Sequence, residues 1–110
     1  MARIIPSKKI REEFSLIYNL KGAQKSINFL SKYYKVKKMK IIVDGRKVPR
    51  KSLAYYLDNE AYFKKRGLKK KVVLHEFYHH LVFNNIISSK REEWEADNYS
   101  KKMNRLKKFY

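Results

Sequence analysis

Apolar residues in the first part of the chain recur at intervals of three or four residues, the spacing of an amphipathic helix. In one stripe they are Ile10, Phe14, Ile17 and Tyr18, and in the next they are Ala23, Ile27, Leu30 and Tyr34. Ser7 is suited to cap the first helix and Gly22 to end it. The pattern predicts two successive helices within residues 1–38.

The middle of the chain changes to short apolar runs bounded by turn residues, as in β-strands. Residues 39–43 form one run, while Leu53–Leu57 and Ala61–Lys64 flank a short polar turn at 58–60. These runs predict a small sheet within 39–66 whose last two strands form a hairpin. A helix over the last two runs is the alternative interpretation.

Helical spacing returns in the last third of the chain. One helix is predicted over 68–85, with the apolar residues Leu74, Phe77, Tyr78 and Leu81. Ser89 and Glu92 have the spacing of a capping box and predict a last helix over 89–107. Its apolar side would carry Trp94, Ala96, Tyr99, Met103 and Leu106. The predicted class is α+β, a single domain of residues 1–110 with a three-stranded mixed or antiparallel sheet and about four helices.

The composition narrows the classes of protein that fit. Apolar residues make up 44% of the 110 and aromatic residues 15%, which favours a packed domain over disorder. The absence of cysteine excludes disulfides and thiolate metal ligands. No stretch approaches the roughly 20 apolar residues of a membrane span, and the start of the chain lacks the apolar run of a signal peptide. We therefore expect a cytoplasmic protein with no membrane partner.

The net charge of +18 raises the question of nucleic acid. Strongly basic domains bind phosphates by releasing counterions. The basic residues here are mostly scattered lysines, without an Arg-rich arm or an aromatic RNA-binding signature, which is typical of a solvated surface. We expect any nucleic-acid binding to be non-specific. A basic nucleic-acid-binding module with a structural or vestigial metal site is the alternative function.

The clearest chemical signal is the segment His75-Glu76-Phe77-Tyr78-His79, which has the H-E-x-x-H pattern. His75 and His79 are one helical turn apart, so both imidazoles can reach one ion. Glu76 between them is placed to act as a general base on the water that attacks a peptide carbonyl. The pattern predicts one Zn²⁺ per chain and hydrolysis of a polypeptide substrate.

A catalytic zinc usually has three protein ligands, so one is needed beyond the two histidines. The candidates are Glu92, Glu93 and Glu95. Glu93 is favoured because the helical rise in an antiparallel hairpin brings it level with His79, whereas Glu92 would belong to the capping box. The other two glutamates remain the alternatives. Asp97, one turn after Glu93, would accept the N–H of His75 and fix its tautomer. The adjacent His80 is expected to pack or form hydrogen bonds.

A polypeptide substrate needs a surface along which to bind. An exposed sheet edge pairs with an extended peptide through backbone hydrogen bonds that do not depend on sequence. The edge that we expect to serve is the run from Leu53 to Leu57. Its predicted substrate-aligning residues are Leu53, Ala54, Tyr55 and Tyr56.

These residues resemble a known zinc site. HEFYHH at 75–80 followed by EEWEAD at 92–97 looks like the site of the gluzincin metallopeptidases, in which H-E-x-x-H is followed by Glu-x-x-x-Asp on a second helix. Over roughly 39–107 the chain is similar to the catalytic domains of membrane CAAX prenyl and heat-shock proteases and to their small soluble relatives, the minigluzincins. The resemblance implies an active-site helix followed by a glutamate helix. It also implies that His75, His79 and Glu93 are the metal ligands. Glu76 would be the general base and Asp97 the supporting aspartate.

The same resemblance implies regulation. Minigluzincins are described as latent zymogens, in which carboxy-terminal segments block the cleft within a chain or between two chains. By that likeness residues 106–110 form an inhibitory tail that includes Phe109 and Tyr110. It also implies a homodimer formed through the C-terminal helix.

Overall fold

The computed structural model describes residues 4–105, which form four α-helices and three strands. The helices are α1 (Lys8–Lys21), α2 (Ala23–Tyr34), α3 (Lys70–Phe83) and α4 (Glu92–Asn104). The strands are β1 (Lys40–Val43), β2 (Ala54–Leu57) and β3 (Glu60–Phe63). The predicted α+β class is confirmed, and the helices and strands follow one another in the predicted order.

Both ends of α1 are set by the residues that the sequence singled out. The Ser7 hydroxyl accepts the Ile10 N–H at 3.4 Å, and Gly22 ends the helix with a φ of 93°. Such a φ suits glycine because it carries no Cβ. Helix α2 follows at once and buries Ile27 and Leu30 completely. The two helices pack together and cover one side of the core.

The sheet is mixed, with the strand order β1-β3-β2. The central strand β3 pairs with β1 in parallel and with β2 antiparallel. Asp58 and Asn59 join β2 to β3 with φ values of 47° and 69°, the conformation of a tight hairpin turn. The predicted hairpin is confirmed, and β2 lies at an edge of the sheet.

Helix α3 occupies the centre of the domain, between α4 and β2. Its apolar residues Leu74, Phe77 and Leu81 are fully buried, as predicted from their spacing. The contacts of α3 with α4 run in opposite chain directions, because His75 meets Asp97 while His79 meets Glu92. Helices α3 and α4 are therefore antiparallel, and the candidate site lies between them. Helix α3 occupies 70–83 within the predicted 68–85.

The predicted capping box is wrong. Helix α4 begins at Glu92 rather than at 89, with Arg91 at its N-cap, and the Ser89 hydroxyl donates to Glu95 instead of capping. The prediction that Trp94 lies on the apolar side is also wrong, since this side chain is 59% exposed. At about 100° per residue, Trp94 is on the far side of α4 from the buried Ala96. The helix ends at Asn104, short of the predicted 107.

Within residues 4–105, no helix combines the length and the apolarity needed to cross a bilayer. The proposed inhibitory tail at 106–110, with Leu106, Phe109 and Tyr110, lies outside the described residues.

Candidate metal centre

Helix α3 turns both histidines of the H-E-x-x-H segment to one side. Because Leu74 and Phe77 point into the core, His75 and His79 lie on the flank of the helix that faces the start of α4. Their ring centroids are 5.0 Å apart. The His75 side chain is 18% exposed and the His79 side chain 12%. The pair is thus shielded by the protein and still reachable from solvent.

The inner nitrogens of the two rings converge on Glu93. The Nε2 atoms of His75 and His79 are 3.3 Å apart. Each lies 3.0 Å from one oxygen of the Glu93 carboxylate. One ligand atom from each of the three residues falls within 4.8 Å of the others. The structure therefore brings together the three side chains that the sequence suggested as ligands.

The outer nitrogen of each ring is held by a separate carboxylate. His75 Nδ1 lies 2.8 Å from Asp97 Oδ1, which is the contact expected from the sequence. His79 Nδ1 lies 2.5 Å from Glu92 Oε2. When these Nδ1 atoms carry the protons and donate them outward, the Nε2 lone pairs face inward toward Glu93.

The contact of Glu92 with His79 was not predicted from the sequence, which offered Glu92 as part of a capping box or as an alternative metal ligand. A usable signal was present, since an antiparallel partner of two histidines four residues apart should offer one carboxylate to each. Glu92 and Asp97 lie five residues apart, one before and one after Glu93, and can serve as that pair of carboxylates. The third candidate, Glu95, is directed elsewhere and accepts hydrogen bonds from Ser89 and from the Tyr78 hydroxyl.

The donor set fits a zinc ion. Two imidazole nitrogens and a carboxylate are the ligands of many catalytic zinc sites, and bond lengths of about 2.0–2.1 Å place tetrahedral ligands about 3.3 Å apart. The two Nε2 atoms lie 3.3 Å apart, in agreement with that figure, and Glu93 places a different oxygen 3.0 Å from each of them. The Glu93 side chain is 78% exposed, so the group opens toward solvent on one side. The residues are therefore compatible with three protein ligands and one position left for water or substrate.

Glu76 is buried beside this group, with only 7% of the residue exposed. Burial raises the pKa of its carboxyl to about 7, while His75 opposes the rise and Glu93 adds to it. A cation held by the three ligands would favour the ionised form and lower that pKa again. A carboxyl that titrates near neutrality is well suited to exchange protons with a reacting group.

His80 takes no part in the convergent group and has a structural role. It is fully buried, and its Nε2 donates to the Lys37 carbonyl at 2.6 Å. Its Nδ1 accepts the Tyr56 hydroxyl at 2.7 Å, and that hydroxyl accepts the Asn59 N–H at 2.9 Å. Burial lowers the pKa of His80, which favours the neutral ring. The expectation that His80 forms hydrogen bonds is confirmed, and these bonds fix the β2–β3 turn against α3.

A cleft runs between strand β2 and the helices α3 and α4, and the candidate site lies at its middle. It consists of two cavities that share lining residues, namely Ser52, Ala54, Glu76 and Glu93. The first, of about 380 Å³, continues along Tyr55 and Tyr56. The second, of about 490 Å³, continues along Leu53 and Val72. All four predicted substrate-aligning residues thus line the cleft, along the free edge of the sheet.

The largest cavity described is elsewhere. It has a volume of about 540 Å³ and lies between α1 and α2, where Ile17 and Phe29 are among its lining residues. Neither a histidine nor a carboxylate lines it. Size alone therefore does not identify the chemical site, and the side chains of the cleft do.

Comparison of this chain with protein-family models, with curated proteins and with solved structures found no match. The likeness to gluzincins therefore depends on the residues of the two helices alone.

Proposed function

We propose that this protein is a zinc-dependent endopeptidase. The observation that carries the proposal is the convergence of His75 Nε2 and His79 Nε2 on one carboxylate, Glu93, at 3.0 Å each. The Nε2 atoms of the two rings also lie 3.3 Å apart. An ordinary surface ion pair does not require such a close approach of two ring nitrogens. Carboxylates on both outer nitrogens are the arrangement that supports metal-binding histidines. We propose one Zn²⁺ per chain, held by these three residues.

The chain itself would supply the proton transfers. A zinc ion held there would act as a Lewis acid toward the peptide carbonyl and would lower the pKa of a water molecule. Glu76 would accept the proton of the attacking water and later give it to the leaving amine. Its burial raises its pKa, which would oppose the lowering that a bound cation causes. Asp97 and Glu92 would keep the histidine rings in the required orientation.

The substrate would lie along β2. This strand pairs only with β3 among the described strands, so its other edge offers free backbone donors and acceptors. An extended peptide can add to such an edge through hydrogen bonds that are independent of its side chains. Because β2 lines both cavities, a peptide bound there would pass directly over Glu76 and the three ligands.

Latency is part of the proposal and is supported by the resemblance to minigluzincins. On this view the residues after Leu106 inhibit the enzyme as made, within one chain or between the chains of a homodimer. Phe109 and Tyr110 would be the blocking side chains. The protein would therefore bind zinc before it becomes active.

Two measurements test the proposal together. Protein purified without chelators should contain one zinc per chain, and it should hydrolyse an unfolded protein such as casein once the tail is removed. Glu76→Gln should keep the zinc and lose hydrolysis by about 10²–10⁴-fold, since only the proton transfer is removed. Zinc-loaded protein that shows no hydrolysis with or without the tail would contradict the peptidase proposal.

Non-specific binding of nucleic acid is a second candidate, favoured by how the charges are distributed. Five of the ten acidic residues belong to the segment 76–97, around the candidate site. The remaining surface is therefore strongly basic, and the phosphate backbone would be its partner. Binding of a DNA oligonucleotide that weakens steeply with salt and is unchanged by Glu76→Gln would support this activity. Binding that resists salt and discriminates between sequences would contradict it.

A further inference from the structure

The two halves of the cleft differ in charge. We call the half lined by Tyr55 and Tyr56 the tyrosine cavity, and the half lined by Lys69, Lys71 and Val72 the lysine cavity. Both lie beside Glu76. A peptide along β2 would therefore present side chains to a pair of tyrosines on one side of the reacting bond and to a pair of lysines on the other.

The two lysines of the lysine cavity have no partner within residues 4–105. Neither ammonium group of Lys69 or Lys71 forms an ion pair or a hydrogen bond there, and the first turn of α3 contains no acidic residue. The neighbouring Lys70 differs, because its Nζ donates to Ser15 Oγ at 2.6 Å. Three carboxylates, of Glu76, Glu93 and Asp97, also line the cavity. None of them forms an ion pair with either lysine, and Glu93 and Asp97 contact His75 instead. Two ammonium groups without an ion-pair partner among the described residues therefore lie at this end of the cleft.

The backbone fixes where these charges lie. A Cβ on Gly67 would come within 2.5 Å of the Leu53 carbonyl oxygen, so this position must be glycine for the chain to pass so closely. The same carbonyl accepts the Lys64 N–H at 3.0 Å. The turn before α3 is therefore fastened to the residue that precedes β2. Because Lys69 follows only two residues after Gly67, the first residues of α3 are held at one end of the edge strand.

We propose that the lysine cavity binds an acidic side chain of the substrate, so that the enzyme selects peptides with Asp or Glu on one side of the cleaved bond. This inference rests on the proposed peptidase function. An acidic peptide is favoured over nucleic acid because the cavity opens onto the free backbone edge of β2. That edge can pair with a peptide backbone, and a nucleic acid cannot form the same ladder. The basic surface would also attract acidic polypeptides and repel basic ones.

The experiment compares matched peptides that differ at one residue near the cleaved bond, which is Asp, Asn or Lys. The full chain and the chain lacking residues 107–110 are both loaded with zinc, because the tail is proposed to block the cleft. Hydrolysis is then measured for each form with the wild-type lysines and with Lys69→Glu/Lys71→Glu. We expect wild type to favour Asp over Lys by about tenfold in kcat/KM, the order expected when two partly exposed charge pairs are gained. The double variant should reverse the preference. Lys25→Glu/Lys32→Glu is the control, because it changes the net charge equally on α2, outside the cleft, and should keep the Asp preference.

Binding separates this inference from the peptidase proposal. Anisotropy of the same labelled peptides with Glu76→Gln, in the full chain and in the chain lacking residues 107–110, measures recognition without requiring hydrolysis. Preferential binding of the Asp peptide together with no hydrolysis by either form would contradict the peptidase and leave the acidic subsite supported. Hydrolysis with no difference between the two double variants would overturn the subsite alone. A DNA oligonucleotide that competes with the peptide, and whose binding depends on Lys69 and Lys71, would also overturn it, since the cavity would then bind phosphate groups. Absence of both binding and hydrolysis for every peptide would overturn both proposals.

Discussion

His79 Nδ1 and Glu92 Oε2 lie 2.5 Å apart, which joins the third turn of α3 to the first residue of α4. The contact mirrors the one between His75 and Asp97 at the other end of the group. Each histidine is thereby oriented by its own carboxylate, and Glu93 lies between the two. This symmetry is the strongest structural argument that the group is built to hold an ion.

The orienting role of Glu92 leads to a prediction about zinc affinity. Glu92→Gln should weaken zinc binding by about 10–100-fold, the usual effect of losing a carboxylate behind a metal-binding histidine. Competition with a chromogenic chelator measures it. Glu95→Gln is the matched control, because Glu95 contacts Tyr78 and Ser89 instead of a histidine, and it should keep zinc affinity. Equal losses in the two variants would contradict the assigned role of Glu92.

The buried hydrogen bonds of His80 predict a loss of stability on substitution. His80→Ala would leave the Lys37 carbonyl and the Tyr56 hydroxyl without a partner, and it would also leave a cavity. We expect the free energy of unfolding to fall by about 2–4 kcal/mol. Urea unfolding in the presence of chelator measures this without a contribution from the metal. A change below about 0.5 kcal/mol would show that the contacts are not stabilising.

His80 also predicts how stability depends on pH. Burial lowers its pKa in the folded chain below the ordinary 6.5, so the unfolded chain takes up the proton first as pH falls. The contribution of His80 is complete above pH 6.5 and is lost as pH decreases toward the folded pKa. Wild type should therefore lose more stability between about pH 7.5 and about pH 5.5 than His80→Gln does, with chelator present in both cases. Parallel losses in the two proteins would contradict this prediction.

Gly67 predicts a steric effect. Gly67→Ala would place a methyl group 2.5 Å from the Leu53 carbonyl oxygen, and the backbone would have to shift at a cost of about 1–3 kcal/mol. Gly45→Ala is the control, since its nearest neighbour is the flexible Lys64 side chain at 3.4 Å. Thermal unfolding of the two variants should show the first clearly less stable. Similar melting temperatures would mean that the turn before α3 is not tightly fastened to β2.

The proposed latency predicts activation by truncation. Chain lacking residues 107–110 and loaded with zinc should hydrolyse casein faster than the full chain, because the cleft would no longer be blocked. The same truncation carrying Glu76→Gln should remain inactive, which excludes a contaminating protease. Equal rates for the truncated and full chains would contradict an inhibitory tail.

The sequence was most informative where the contacts are local. Ser7 and Gly22 bound α1, and the spacing of His75 and His79 follows directly from the helical period, so both could be predicted. Glu93 could be chosen from helical rise because α3 and α4 form an antiparallel pair. These are properties of one helix or of two consecutive helices.

The sequence was misleading where a local signal competed with a tertiary contact. Ser89 and Glu92 fit a capping box, yet the Ser89 hydroxyl donates to Glu95, and Glu92 contacts His79 instead. The position of Lys69 depends on the close approach of Gly67 to Leu53, which joins residues far apart in the chain. No periodicity could indicate that approach, so the charge asymmetry of the cleft became visible only in the folded chain.

A crystal structure of the zinc-loaded protein, with anomalous scattering measured on both sides of the zinc absorption edge, distinguishes most clearly whether these residues form a zinc site. We predict one anomalous peak, bonded to His75 Nε2, His79 Nε2 and a Glu93 oxygen, with Asp97 and Glu92 on the outer nitrogens. Absence of a peak at these residues, or a zinc ion held by a different set, would contradict it.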